Sequence, residues 1–384
     1  MNKKLLHFSR LFVGILFIFS GLIKANDPLG FGYKLQEYFE VFHCTFLNDY
    51  AVAVAILLCS LEMVLGMLLL LGFWAKKISW GLLLLILFFT FLTFYSAFFK
   101  VVTSCGCFGD AIPLSPWQSF SKDLVLLLFI IIIFTQRAQL KPIFNSVKAQ
   151  RIILGTSIFL SLSFGLYTYN YLPIIDFLPY KVGNNIPQLM KMPPGAAMDI
   201  YETTYVLKNK KTGENKKMSD QEYLKTGIWK DDDWETIGNP ETKLIKKGYE
   251  VKIKDLKITD SHDVDYTSEI IEHPYYTLAI VAYDLHKTNV QALANLNVLA
   301  VSAAENYTIR TIMLTSTSVE QATAFSKAHR LLMDIFYADS VPLKSMVRAN
   351  PGILLLKDGI IVGKWHYHNM PTYNELASAY FSKN

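Results

Sequence analysis

Five apolar stretches within the first 172 residues limit what this chain can fold into. Residues 51–73 and 78–99 are each long enough to cross about 30 Å of hydrocarbon. The run at 11–23 is shorter and must borrow its flanks, a fourth centres on 124–134, and a fifth covers 152–172. A cleaved signal peptide is the rival reading of the first run, given Lys3, Lys4 and a small-residue step near Ala25. Four further spans behind it favour a helix that stays. Backbone in hydrocarbon must satisfy its own hydrogen bonds, so residues 1–140 are expected to form a four-helix membrane bundle and 141–175 a fifth, anchoring helix.

Charge divides the chain at the same place. Residues 1–172 hold 13 Lys/Arg and 7 Asp/Glu, whereas 173–384 hold 24 and 25. The net +5 is therefore a membrane-flank effect, and no nucleic-acid surface is indicated. Lys3, Lys4 and Arg10 precede the first span, Lys76 and Lys77 separate the second and third, and Arg137, Lys141, Lys148 and Arg151 separate the fourth and fifth. These segments are expected in the cytoplasm. Loops 24–50 and 100–122, and all that follows span five, then face the periplasm of a bacterial inner membrane. Tyr167, Tyr169 and Tyr171 close span five as an interfacial aromatic belt.

Beyond a linker bearing Pro173, Pro179, Gly183, Pro187 and Pro193-Pro194-Gly195, residues 176–270 hold a small β-rich insert. Strand patterns at 200–208 and from Lys217 flank a Thr212-Gly213 turn, and 250–258 alternates polar with apolar. Residues 271–384 form an α/β domain. Strands are expected at 277–283 and 308–315, with helices at 290–306 and 319–331. A hairpin of 353–356 and 360–365 turns at Asp358-Gly359, and a last helix follows.

Only four cysteines occur. Cys105-Gly106-Cys107 sits in an outward loop, Cys44 in the other outward loop beside His43, and Cys59 inside span two, where packing accounts for it. A disulfide across one residue closes a strained ring with a raised reduction potential, and Gly106 permits the backbone angles it needs. Oxidised Cys105–Cys107 would accept electrons from a client dithiol. Cys44, whose thiolate a cationic His43 favours, is the outward candidate for a relay, and a membrane quinone is a candidate electron sink. Two other readings stand beside this one: a structural clip, and a Cu(I) site completed by His43 or Cys44. Glu62, one turn from Cys59, is costly inside a membrane helix. Arg10 and Lys24 are its candidate partners, either in an ion pair holding the bundle or in proton handling. His366-x-His368 lacks a third ligand, so no metal site is assigned. Trp229-Lys-Asp-Asp-Asp-Trp234 reads as a solvated turn anchored by two tryptophans, against an acidic loop for partners or calcium.

Arg10-Leu11-x-x-Gly14, Phe19-Ser20-Gly21-Leu22-x-Lys24, Asp27-Pro28, Glu62-x-x-x-Gly66, Leu71-Gly72 and Cys105-Gly-Cys107-Phe-Gly109 together resemble the DoxX and MauE membrane proteins over about 140 residues. The resemblance implies a redox-associated role. MauE members are linked to disulfide maturation in methylamine utilisation, beside a thioredoxin-like partner. The last 110 residues resemble the C-terminal half of the thioredoxin fold, with Pro351 at the place of that fold's proline before the hairpin. They depart from it at Asp284-Leu285-His286-Lys287-Thr288-Asn289, where a Cys-x-x-Cys would stand. This domain therefore cannot perform dithiol chemistry alone, and Pro351 and the His286 loop would mark a docking face. Two functions follow: a component assisting thiol–disulfide exchange with a periplasmic client or carrier protein, or a non-enzymatic membrane scaffold whose degenerate domain binds a partner. Whether the chain is itself a thiol–disulfide oxidoreductase stays open at this point.

Overall fold

The computed structural model describes residues 3–102, 106–307 and 309–381. The first apolar run lies within one continuous helix, α1 (Lys3–Asn26), because nothing breaks the chain before Asp27-Pro28. Asp27 then caps α2 (Pro28–Val41), its carboxylate accepting from Gly30 N at 2.8 Å with proline at the first helical position. α2 lies within the segment expected as an outward loop. Next come α3 (Ala51–Leu71), α4 (Ala75–Phe99), α5 (Pro116–Thr135) and α6 (Val147–Asn170). Five of these, all but α2, are long and apolar enough to span a membrane. Their outer surfaces carry Leu11, Leu57, Leu84, Leu128 and Phe159, each more than half exposed, which suits lipid and not water. The chain is a multi-pass membrane protein.

The tightest seam in the bundle runs between α1 and α3. A Cβ added at Gly66 would fall 2.7 Å from Gly14 O, and one at Gly21 would fall 2.8 Å from Cys59 O. Small residues let two backbones approach this closely, which is how helices associate where lipid removes the hydrophobic drive. A signal peptide would have no reason to carry this half of a seam.

Residues 185–255 form a compact unit of their own. It comprises α7 (Ile186–Met190), β1 (Ile200–Asn209), β2 (Asn215–Ser219), α8 (Asp220–Thr226), β3 (Trp234–Thr236) and β4 (Glu241–Lys246), with β1 pairing antiparallel to the other three strands. The strand expected over 250–258 does not form. Its alternation comes from the buried Ile253, Leu256 and Ile258 on an irregular chain that Asp255 interrupts at φ +55°. Trp229 is 54% exposed and stacks with the neighbouring Lys230, whereas Trp234 opens β3.

The α/β region comprises α9 (Thr267–Ile271), β5 (Thr277–Val281), α10 (Val290–Tyr307), β6 (Arg310–Thr315), α11 (Val319–His329), β7 (Asp334–Tyr337), α12 (Ser340–Met346), β8 (Gly352–Lys357), β9 (Ile360–His366) and α13 (Tyr373–Leu376). The sheet runs β7-β6-β5-β8-β9, with β5, β6 and β7 parallel and β8 and β9 antiparallel. All five residues of β5 are buried, as a central strand covered on both faces requires. Asp358 and Gly359 both have positive φ, the two-residue turn that matches strand twist. The Asn350–Pro351 bond is cis. Three short elements have no counterpart among the sequence expectations, the five-residue α9, the four-residue β7 and the proline-bearing α12, because none is long enough to show a period.

Candidate functional site

The α1–α3 seam places the polar residues of the bundle. At one end, Arg10 donates to Leu69 O at 3.0 Å and Leu70 O at 2.6 Å, satisfying the last carbonyls of α3 beside the left-handed Gly72. At the other end, Lys24 on α1 pairs with Glu62 on α3, their side chains 3% and 4% exposed. Of the two candidate partners for Glu62, the structure selects Lys24.

Two residues of α5 join this pair. Lys122 Nζ lies 2.6 Å from Asp123 Oδ1, and Thr93 donates to the other Asp123 oxygen at 3.0 Å. Asp123 is buried, an acid within an apolar helix like Glu62, and that criterion alone would have found it in the sequence. Lys24, Glu62, Lys122, Asp123, Ser20 and Cys107 line one small cavity of about 40 Å3.

Cys107 belongs to the loop that closes this cavity. Its carbonyl accepts from Ser20 Oγ at 3.0 Å, and the loop turns on Gly106 and Gly109, both with positive φ, Gly109 N donating to Gly106 O at 3.0 Å. Cys105 lies outside the described residues. A second cavity of about 400 Å3 lies across the loop and is lined by Gly106, Gly109 and Asp110 together with α2, residues 173–178 and α12. The loop thus partitions the two cavities, and Lys24 and Phe31 line both. Cys44 lines neither. It is half-buried at the start of a short 3-10 turn, its sulfur 3.4 Å from Phe42 O.

The roof of the larger cavity is the α/β region. Arg348, at the end of α12, donates to Asp27 at 2.8 Å and to Asp110 at 3.3 Å, and it also reaches the Lys344 carbonyl. Burial works against its charge, but Asp27 and Asp110 outweigh that and hold Arg348 protonated. The hydroxyls of Tyr33 and Tyr283 meet at 2.9 Å, and burial pushes both phenols up. Lys344 stacks 4.7 Å over the Tyr33 ring, and burial pulls its ammonium down. Lys287 reaches Asp49 at 3.0 Å, and Lys364 reaches Asp176 at 2.7 Å. Asn26 and Ile175 exchange a pair of hydrogen bonds.

The two predicted docking residues lie on the same edge. Asn350, next to Pro351, donates to Asp284 O at 2.7 Å and accepts from Asn289 N at 3.2 Å, so the proline and the 284–289 loop form one unit. His286 is exposed, 3.4 Å from Gln321. Tyr283 and Lys287 turn this edge toward α2 and the 45–50 turn of the chain's own membrane half. His366 and His368 stack at 4.7 Å and pack on Tyr171 at the end of span five, where His368 Nδ1 meets Asn170 O at 2.7 Å. Among the described residues, no cluster of three or more His, Cys, Asp or Glu side chains is placed to hold a metal. No local pattern marks Arg348 or Tyr33, whose side-chain partners Asp27, Asp110 and Tyr283 lie hundreds of residues away.

Comparison with known proteins places the bundle. Residues 2–136 match the family model described as methylamine utilisation protein MauE. Protein TlpB of Flavobacterium psychrophilum is 28% identical over 130 residues, a match covering 33% of this chain and only 35% of that protein's length. No solved structure matches. These likenesses support a redox-associated membrane role, and each covers about a third of the chain.

Proposed function

We propose that this MauE-like membrane protein assists thiol–disulfide exchange on exported proteins, with Cys105 and Cys107 as the exchanging pair. One observation carries the reading: the Gly106–Asp110 segment, with Cys107 in it, lines both a roofed outer cavity and a buried, charged inner one. A structural clip would need neither cavity, whereas an exchange pair needs client access on one side and charge compensation on the other. The outer cavity is large enough to admit an extended cysteine-bearing segment of a client or carrier. The α/β region, thioredoxin-like in our reading but with Asp284–Asn289 in place of a dithiol, serves as the roof, and Pro351 and the His286 loop hold its edge. Cys44 stands apart as a relay that a mixed disulfide would have to reach. A quinone diffusing in the bilayer is the electron acceptor we assign by class, and the inner bacterial membrane, with the α/β region periplasmic, the setting.

Acid-trapped alkylation in intact cells with a membrane-impermeant mass tag tests this, using single Cys→Ser variants. Cys105 and Cys107 should label from outside only after reduction, and a mixed disulfide with a client should accumulate on Cys105 in Cys107→Ser where the pair oxidises its client, or on Cys107 in Cys105→Ser where it reduces it. Free thiols in growing cells, or labelling only from the cytoplasm, would sink the proposal and leave a scaffold.

A further inference from the structure

The inner cavity contains a group that exchange at the loop does not by itself explain. Glu62 offers one carboxylate oxygen to Lys24, but Oε2 is buried with no hydrogen-bond partner among the described residues. Leaving a buried acceptor unsatisfied costs about 1–3 kcal/mol, more when it is charged, so such a group asks for a reason. Its surroundings supply one. Glu62 and Cys107 line the same cavity, whose roughly 40 Å3 has room for about one water. Lys24 lines that cavity and the outer one, where Asp27, Glu37 and Asp110 also lie. A proton at Glu62 therefore has Cys107 on one side and, through Lys24, the outer cavity on the other.

We propose that Glu62 is the proton acceptor and donor for the Cys107 sulfur, and that Lys24 is the positioning residue that passes the proton to the outer cavity. The assignment rests on reading Cys105 and Cys107 as an exchange pair. In the reducing direction the Cys107 S–H bond breaks and its proton passes through one water to Glu62 Oε2. The electron pair left on sulfur attacks a client disulfide: a Cys107–client S–S bond forms, the client S–S bond breaks, and the distal client sulfur leaves as a thiolate. In the oxidising direction a client thiolate attacks Cys105 of the disulfide, Cys107 is expelled as a thiolate, and Glu62 returns the proton. Lys24 from α1 and Lys122 from α5 offset the sulfur charge either way. The other titratable neighbours are Asp123 on α5 and Cys59 on α3, while α2 and α4 present only Phe31, Ile86 and Phe89.

The test is the pH profile of Cys107 alkylation by iodoacetamide, in full-length protein held in lipid nanodiscs with Cys44→Ser, Cys59→Ala and Cys105→Ser. Glu62→Gln should slow alkylation at neutral pH by at least about tenfold and move the half-maximal pH upward, the loss expected on removing a positioned base. Should that variant fail to fold, Lys24→Gln with Glu62→Gln keeps a neutral hydrogen-bonded pair and should give the same slow profile. A folded variant of either kind with the parent profile overturns the proposal. Trapping in cells decides the exchange reading separately: cysteines that never exchange there, yet whose profile depends on Glu62, would refute the function and leave the proton assignment standing.

Discussion

Lys24 and Asp27 lie almost side by side in the chain, and each anchors an ion pair to a distant element, but the two pairs live in different media. Lys24–Glu62 is sealed between two spans at 3% and 4% exposure. Arg348 is equally buried at 6%, but its partners Asp27 and Asp110 are 17% and 54% exposed. The first pair has at most the one water that its small cavity can hold, so it acts as nearly all or nothing. The second is graded, because a freed Asp110 can be hydrated where it stands. One helix end thus carries a rigid joint inside the membrane and a releasable one at its surface.

The sharpest way to break that contrast is to remove one cation from each. Lys24→Ala leaves Glu62 buried without its cation and should cost about 3–5 kcal/mol, read as a lowered unfolding midpoint in nanodiscs. Neutralising both partners, Lys24→Gln with Glu62→Gln, should recover most of it, since the penalty comes from the uncompensated charge and not from the loss of attraction. If Lys24→Ala unfolds no more readily than a substitution at Arg348, the inner pair is not sealed as described.

Arg348→Ala should do less and do it elsewhere. Losing charge-assisted hydrogen bonds to Asp27 and Asp110 should weaken the roof by about 1.5–3 kcal/mol while the bundle unfolds as before. Hydrogen exchange should rise in α2 and in residues 106–110 and stay level in α3. Protection lost throughout the bundle would mean that the two joints are one.

The two joints also differed in how far the sequence revealed them. The inner one was legible because hydrocarbon tolerates few polar residues: Glu62 stood out, and Lys24 was one of two cations within reach. Gly14, Gly21 and Gly66, seen first only as parts of a motif, turn out to mark where α1 and α3 touch. Arg10 belonged to the same motif yet serves the opposite end of the seam, which spacing alone could not decide. The outer joint was invisible. Arg348 is an ordinary cation two residues past the short helix α12, 321 residues from the Asp27 it meets, and no local pattern links them. Asp27-Pro28 did carry a helix-start signal, and reading it would have placed α2 and hence one wall of the outer cavity.

Another contact between the halves uses no ions, and it sets the smallest expected effect. His366 is buried against Tyr171, and its Nδ1 accepts from His368 N at 3.1 Å, which requires a neutral ring. Burial and the neighbouring His368 lower it from 6.5 to about 4. The folded ring therefore refuses a proton that the unfolded chain takes up. Its contribution is whole above about pH 6.5 and drains away as pH falls toward 4. The α/β region should thus lose stability across that window, by less than either ion-pair variant costs, and His366→Gln should flatten the loss while lowering the plateau. Arg348 stays charged across this window, so acid should loosen the Tyr171 contact first and reach the Arg348 joint only as Asp110, whose carboxyl burial raises, takes up a proton. Hydrogen exchange at β9 that rises below pH 6 while α2 stays protected would separate the neutral contact from the ionic one, whereas a simultaneous rise in both would join them.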